Sequence, residues 1–129
     1  MKLETCRDLE VWQRAMDLVV AAYELTGGFP AAEKYGLTSQ MQRSAVSIPA
    51  NIAEGYARTH RGDYLHPLSA AKGSLAELEP HLTLVVRLKS AAREQVLDTW
   101  KPAQDVGQML TKLIQSLDND GIPETRTRK

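Results

Sequence analysis

Apolar residues return every three or four positions over four long stretches of the chain, with Gly, Pro and charged residues between them. The first stretch covers residues 9–26, where Leu9, Trp12, Met16, Val19 and Tyr23 form a stripe that Ala15, Leu18 and Ala22 widen. Asp8 is placed to cap its start, and Gly27-Gly28-Phe29-Pro30 to end it. The second, 35–58, sets Leu37, Met41, Ser44, Ala45, Ile48 and Ile52 on one face, and the third, 63–90, does the same with Leu68, Leu75, Leu78, Leu82, Val85 and Leu88. The fourth, 94–117, uses Val96, Trp100, Ala103, Val106, Leu110, Leu113 and Leu117. No period-two run rich in β-branched residues occurs, so no strand is predicted. The pattern predicts one all-α domain over 1–129, an up-down-up-down antiparallel four-helix bundle with a polar tail, 118–129, that frays.

The second stretch departs from the usual one-sided pattern. Advancing about 100° per residue gathers Gln40, Arg43, Ser47, Asn51, Glu54 and Arg58 into one polar sector beside the core face. A further sector, roughly opposite the core, holds Ser39, Val46, Ala50, Ala53 and Ala57, where a solitary bundle exposes Lys and Glu. Pro49 removes one helical hydrogen bond to the Ala45 carbonyl and predicts a bend towards a curved neighbour. Ser44 and Ser47 are placed to bond carbonyls one turn back and soften that bend. Pro67 and Pro80 repeat the device in the third stretch, Pro67 within its first turn. Apolar residues on two faces call for burial on two sides. The reading is a subunit interface over Val46, Pro49, Ala50, Ala53 and Ala57, beside a polar network of Ser47, Asn51 and Glu54, with Arg43 and Arg58 as partners for the last two.

Charge adds little. Sixteen basic residues balance sixteen acidic ones, so the chain as a whole has no bias towards nucleic acid or an anionic membrane. Locally, Arg43, Arg58, Arg61 and Lys72 outnumber Glu54 and Asp63 between positions 40 and 72, and "ARTHRGDY" gathers Arg58, His60 and Arg61 at a turn. Phosphate contacts through Arg43, Arg58, Arg61 and Lys72 would be salt-dependent and indifferent to sequence. Cys6 is the lone cysteine, which fits a reducing compartment, and the first eight residues lack the apolar run of a signal peptide. With no stretch of about 20 apolar residues to span a bilayer, the expectation is a cytoplasmic protein without a membrane partner.

The parts of an enzyme are missing. His60, His66 and His81 make no HExxH pair, and Glu77 and Glu79 flank one residue and so point to different sides of a helix. "DNDG" at Asp118 would need Gly at position 123 and Glu at position 129 for a calcium loop, and has Pro123 and Lys129. Gly27-Gly28 ends a helix instead of opening one around a phosphate. A noncatalytic protein without cofactor or metal is expected.

"YGLTSQMQRSAVSIPANIAEGYAR" and the downstream "AAKGSLAELEPHL" resemble the bacterial four-helix bundle family encoded in intervening sequences of 23S ribosomal RNA genes, some members of which were labelled S23 ribosomal proteins. The similarity runs from "DLEVWQRAMDL" at Asp8 to about Leu117. It implies a bundle assembled as a ring, commonly a homopentamer. It also implies kinship with the accessory variability determinant of diversity-generating retroelements, which engages reverse transcriptase and nucleic acid. RNA or DNA, and a reverse transcriptase where the gene accompanies a retroelement, are the partners that follow from the resemblance. The alternative is a protein-interaction scaffold whose basic residues form only salt bridges.

Overall fold

The computed structural model describes residues 9–57 and 62–121. The four apolar stretches become α1 (Glu10–Thr26), α2 (Leu37–Tyr56), α3 (Gly62–Arg87) and α4 (Arg93–Gly121), with a single 3-10 turn, Ala31–Glu33, before α2. Among the described residues there is no strand. Each helix packs on its chain neighbour, and α4 returns to α1, so the four close into a square with α2 and α3 in the most extensive contact. The predicted bundle is therefore the fold. The Asp8 cap, Cys6, the turn residues Arg58, His60 and Arg61, and tail positions 122–129 lie outside the described residues.

The core is a continuous apolar column from all four helices. Leu18, Met41, Ile48, Ile52, Leu78, Leu82, Val85, Val106 and Leu110 are its largest fully enclosed apolar side chains. Enclosing each contributes about 1.5–3 kcal/mol. The second, third and fourth helices turn inward the faces their spacing predicts, with one exception: Leu88 is exposed. It follows the end of α3, where Lys89 takes a left-handed conformation (φ 59°) and the Ser90 amide donates to the Val85 carbonyl, closing the helix.

α1 differs from its prediction. Val11, Ala15, Leu18, Ala22 and Leu25 are its buried apolar residues, whereas Met16 and Tyr23 are exposed. The residues that seemed to widen the stripe are its centre, because small Ala15 and Ala22 let α1 lie close to its neighbours. The N-cap position is held by Leu9, without a side-chain cap. Pro67 also falls later than predicted, as the sixth residue of α3, and is fully enclosed. α2 runs unbroken through Pro49. The Ser47 hydroxyl donates to the Ser44 carbonyl at 2.9 Å, the back-bond predicted for it, while Ser44 turns to another partner.

Candidate functional site

Two edges of α2 hold the residues singled out by the sequence. Along the edge facing α3, polar side chains interlock. The Ser44 hydroxyl donates to the Glu77 carboxylate at 3.5 Å, and Ser47 shares a short hydrogen bond with Ser74 across the helix pair. A hydroxyl has one proton, and that of Ser47 is committed to the Ser44 carbonyl, so Ser74 is the donor between them. Asn51 donates to the Ser47 carbonyl at 2.8 Å, and the Gln40 side-chain oxygen lies 3.1 Å from His81 Nε2. Ser47, Ser74 and Asn51 are half-buried, so these bonds replace water where α2 meets α3. Below them the helices come closer still: a Cβ on Gly55 would sit 3.4 Å from the Tyr64 carbonyl oxygen. The Asn51 amide thus bonds to its own helix, and the described part of the network is a seam between helices of one subunit.

The edge facing α1 has the opposite character. Val46 is 43% exposed and stands across a groove from Val19, Val20 and Tyr23 of α1, the last two 57% and 45% exposed. Met16, 41% exposed, extends the surface along α1, and Ala50, Ala53 and Ala57 extend it along α2. Pro49 does not take part. It is buried inside the subunit, because it shares its helical face with Ile52 and Ala45 rather than with Val46. The predicted α2 half of the apolar face is thus present without its proline. The sequence spacing places Met16 and Tyr23 in the core, whereas the structure sets both on the outer, α1 half of this face. The signal was available: from Val11 to Ala22 only Gln13, Arg14 and Asp17 are polar, too few to cover the outside of a helix.

Arg43 and Lys72, the two predicted phosphate-binding residues among the described residues, do not converge. Arg43 is exposed on the groove between α2 and α3, where its guanidinium donates to Ser39 at 3.1 Å and Glu77 shares the lining. Lys72 lies on a different groove, of about 510 Å³, between α3 and α4, with Lys112, Gln108 and Glu79, whose carboxylate accepts from Gln104 at 3.0 Å. Glu77 and Glu79 thus line different grooves, as their spacing requires. Among the described residues no three His, Cys, Asp or Glu side chains are grouped to hold a metal ion, and no helix is long and apolar enough to cross a membrane.

A sequence model of the 23S rRNA-intervening sequence protein family matches residues 7–112. No curated protein matches the chain. Among solved structures, a crystal structure of a protein of unknown function from the S23 ribosomal protein family of Bacteroides thetaiotaomicron is similar, with a TM-score of 0.73 and 24% identity, covering 81% of this chain and 97% of that one. At that identity the likeness speaks to the fold.

Proposed function

Because the chain belongs to the 23S rRNA-intervening sequence protein family, we propose that it works as a noncatalytic accessory scaffold built from several copies of itself. The observation that supports this is the apolar face shared by α1 and α2. Four large side chains, Met16, Val20, Tyr23 and Val46, stand partly in water on adjacent helices of one subunit. Contiguous exposed apolar surface of this kind marks an association site. A ring of five copies follows from the family resemblance alone, and a cytoplasmic setting agrees with the single cysteine. Sedimentation equilibrium tests the reading. The wild-type chain should sediment at a multiple of 14.3 kDa, and Val20→Glu with Val46→Glu should return it to that mass with its helicity intact. A wild-type chain of 14.3 kDa at all micromolar concentrations would defeat the proposal.

Nucleic acid is the second reading. One observation favours it: Arg43 and Lys72 are exposed, and neither pairs with a carboxylate among the described residues, so each is available to a phosphate. One subunit offers them on separate grooves, and repetition around an assembly would multiply both. Retention of structured RNA that falls steeply between about 50 and 200 mM salt, and is lost in Arg43→Glu with Lys72→Glu, supports this reading. Retention unchanged by the double variant removes it.

A further inference from the structure

The polar seam between α2 and α3 gives out before α3 ends. Its cross-helix contacts step regularly, Ser47 with Ser74, Ser44 with Glu77 and Gln40 with His81. One step further, the buried Leu37 at the start of α2 is level with Leu84. From there apolar side chains take over the outer edge of α3. Glu77, His81, Leu84 and Leu88 recur every three or four residues along one stripe. Leu88 follows the last helical residue, but its amide still donates to the Leu84 carbonyl at 2.8 Å, which keeps it on that stripe. Leu84 and Leu88 are 42% and 56% exposed, and Tyr35, just ahead of α2 at the same end of the bundle, stands almost wholly in water. Over the seam itself runs an open groove of about 670 Å³, with Ala76 and Pro80 along its α3 side and Arg43 on its α2 side.

The charges around this surface favour one sign. Lys34, Arg43, Arg87 and Lys89 are exposed, against Glu33 and Glu77. None of these basic residues is in an ion pair among the described residues, and Lys34 lies over the Tyr35 ring at 5.5 Å. Arg87 and Lys89 bracket Leu88 in the chain. Lys89 occupies the left-handed position that closes α3, so a cation stands beside Leu88 where glycine is the favoured residue. We infer that this end of the α2–α3 edge docks an acidic amphipathic helix of a partner protein. Its apolar residues rest on Leu84 and Leu88, and its carboxylates point towards Arg43, Arg87 and Lys89.

Dimensions and chemistry both select that occupant. From Ser74 to Leu88 the stripe is about 21 Å long, which matches about four turns of a partner helix. Large wet leucines beside unpaired cations call for a partner that is apolar and acidic at once. A phosphate backbone would satisfy the cations alone, leave the leucines wet, and meet Glu77 in the groove. The surface lies on the side of α2 turned away from α1, so docking here needs no second copy and stands apart from the self-association proposed above.

Selection on the full chain from a displayed library of helical peptides of about four turns tests this, with the recovered peptides synthesised and titrated by fluorescence anisotropy. They should carry Leu, Ile or Phe four residues apart, with an excess of Asp and Glu. Leu84→Ser with Leu88→Ser should weaken their binding by about tenfold or more, while sedimentation of that variant matches wild type. Arg87→Glu with Lys89→Glu should weaken the acidic peptides about tenfold and strengthen counterparts in which lysine replaces the acids, an exchange that a folding defect would not give. The inference is overturned if no peptide is recovered, if the recovered peptides lack an acidic excess, or if they bind the leucine variant like wild type. Loss of self-association in the leucine variant would make the occupant a second copy, and loss of structured-RNA retention without peptide binding would make it nucleic acid; either result overturns the inference. A monomeric wild type that still binds the acidic peptides would end the proposed scaffold of several copies and leave this docking surface standing.

Discussion

α2 has two edges a few ångströms apart and they obey opposite rules. Towards α3 it presents Ser44, Ser47 and Asn51, which bond to Glu77, Ser74 and its own backbone in a half-covered seam. Towards α1 it presents Val46, Ala50, Ala53 and Ala57, with Val46 set in an open apolar groove. In a solitary bundle polar groups would face water and apolar ones the seams. The inversion teaches that the seam is finished within one chain, whereas the α1–α2 edge is not. Burying polar groups is tolerable where their hydrogen bonds are satisfied. Leaving several large apolar side chains wet has no such compensation.

Substitutions at three neighbouring positions can separate the two edges. The largest effect belongs to Ile48→Ala, which empties the core row on which both edges rest. It should cost about 2–5 kcal/mol in urea unfolding and weaken both edges together. Ser47→Ala follows. It leaves Ser74 without its cross-helix partner and should cost about 1 kcal/mol, with a coupling of similar size when combined with Ser74→Ala in a double-mutant cycle and with assembly unchanged. A null coupling would mean that the short contact between the hydroxyls contributes nothing to the seam. Its neighbour Val46→Ser should do the reverse: unfolding of the dissociated chain shifts by less than about 0.5 kcal/mol, while self-association weakens about tenfold. If Val46→Ser and Ser47→Ala proved indistinguishable in both assays, the contrast between the edges would collapse.

The fold was legible in the sequence because period-3.6 patterning over four stretches leaves few alternatives, and Leu37, Met41, Ala45, Ile48 and Ile52 are buried as that pattern requires. The buried face of α1 lies one step away from the stripe its spacing marks, because nine of the twelve positions from Val11 to Ala22 are apolar and spacing alone does not separate the covered face from the open one. Pro49 was misplaced for a related reason: its effect on the backbone was clear, but which neighbour its ring would meet depends on how α2 is rotated in the bundle. Glu77 and Glu79 were legible as facing different ways, whereas their partners Ser44 and Gln104 come from other helices and leave no local mark. Arg43 and Lys72 stand on neighbouring helices of the chain, yet they line separate grooves, a placement that depends on how α2 and α3 are rotated in the bundle.

The smallest test addresses the turn that joins α3 and α4. Lys89 holds a left-handed backbone that glycine adopts freely. Lys89→Gly should raise stability by about 0.5–1 kcal/mol in urea unfolding. A loss would show that the lysine stem supports the turn between Arg87 and Arg93.

The most direct test of the open α1–α2 face is hydroxyl-radical footprinting at Met16 over a dilution series, read by mass spectrometry against the fully enclosed Met41 of the same chain. The account predicts that Met16 is protected when the protein is concentrated and becomes reactive on dilution, while Met41 stays protected throughout. A Met16 equally reactive at every concentration would contradict it.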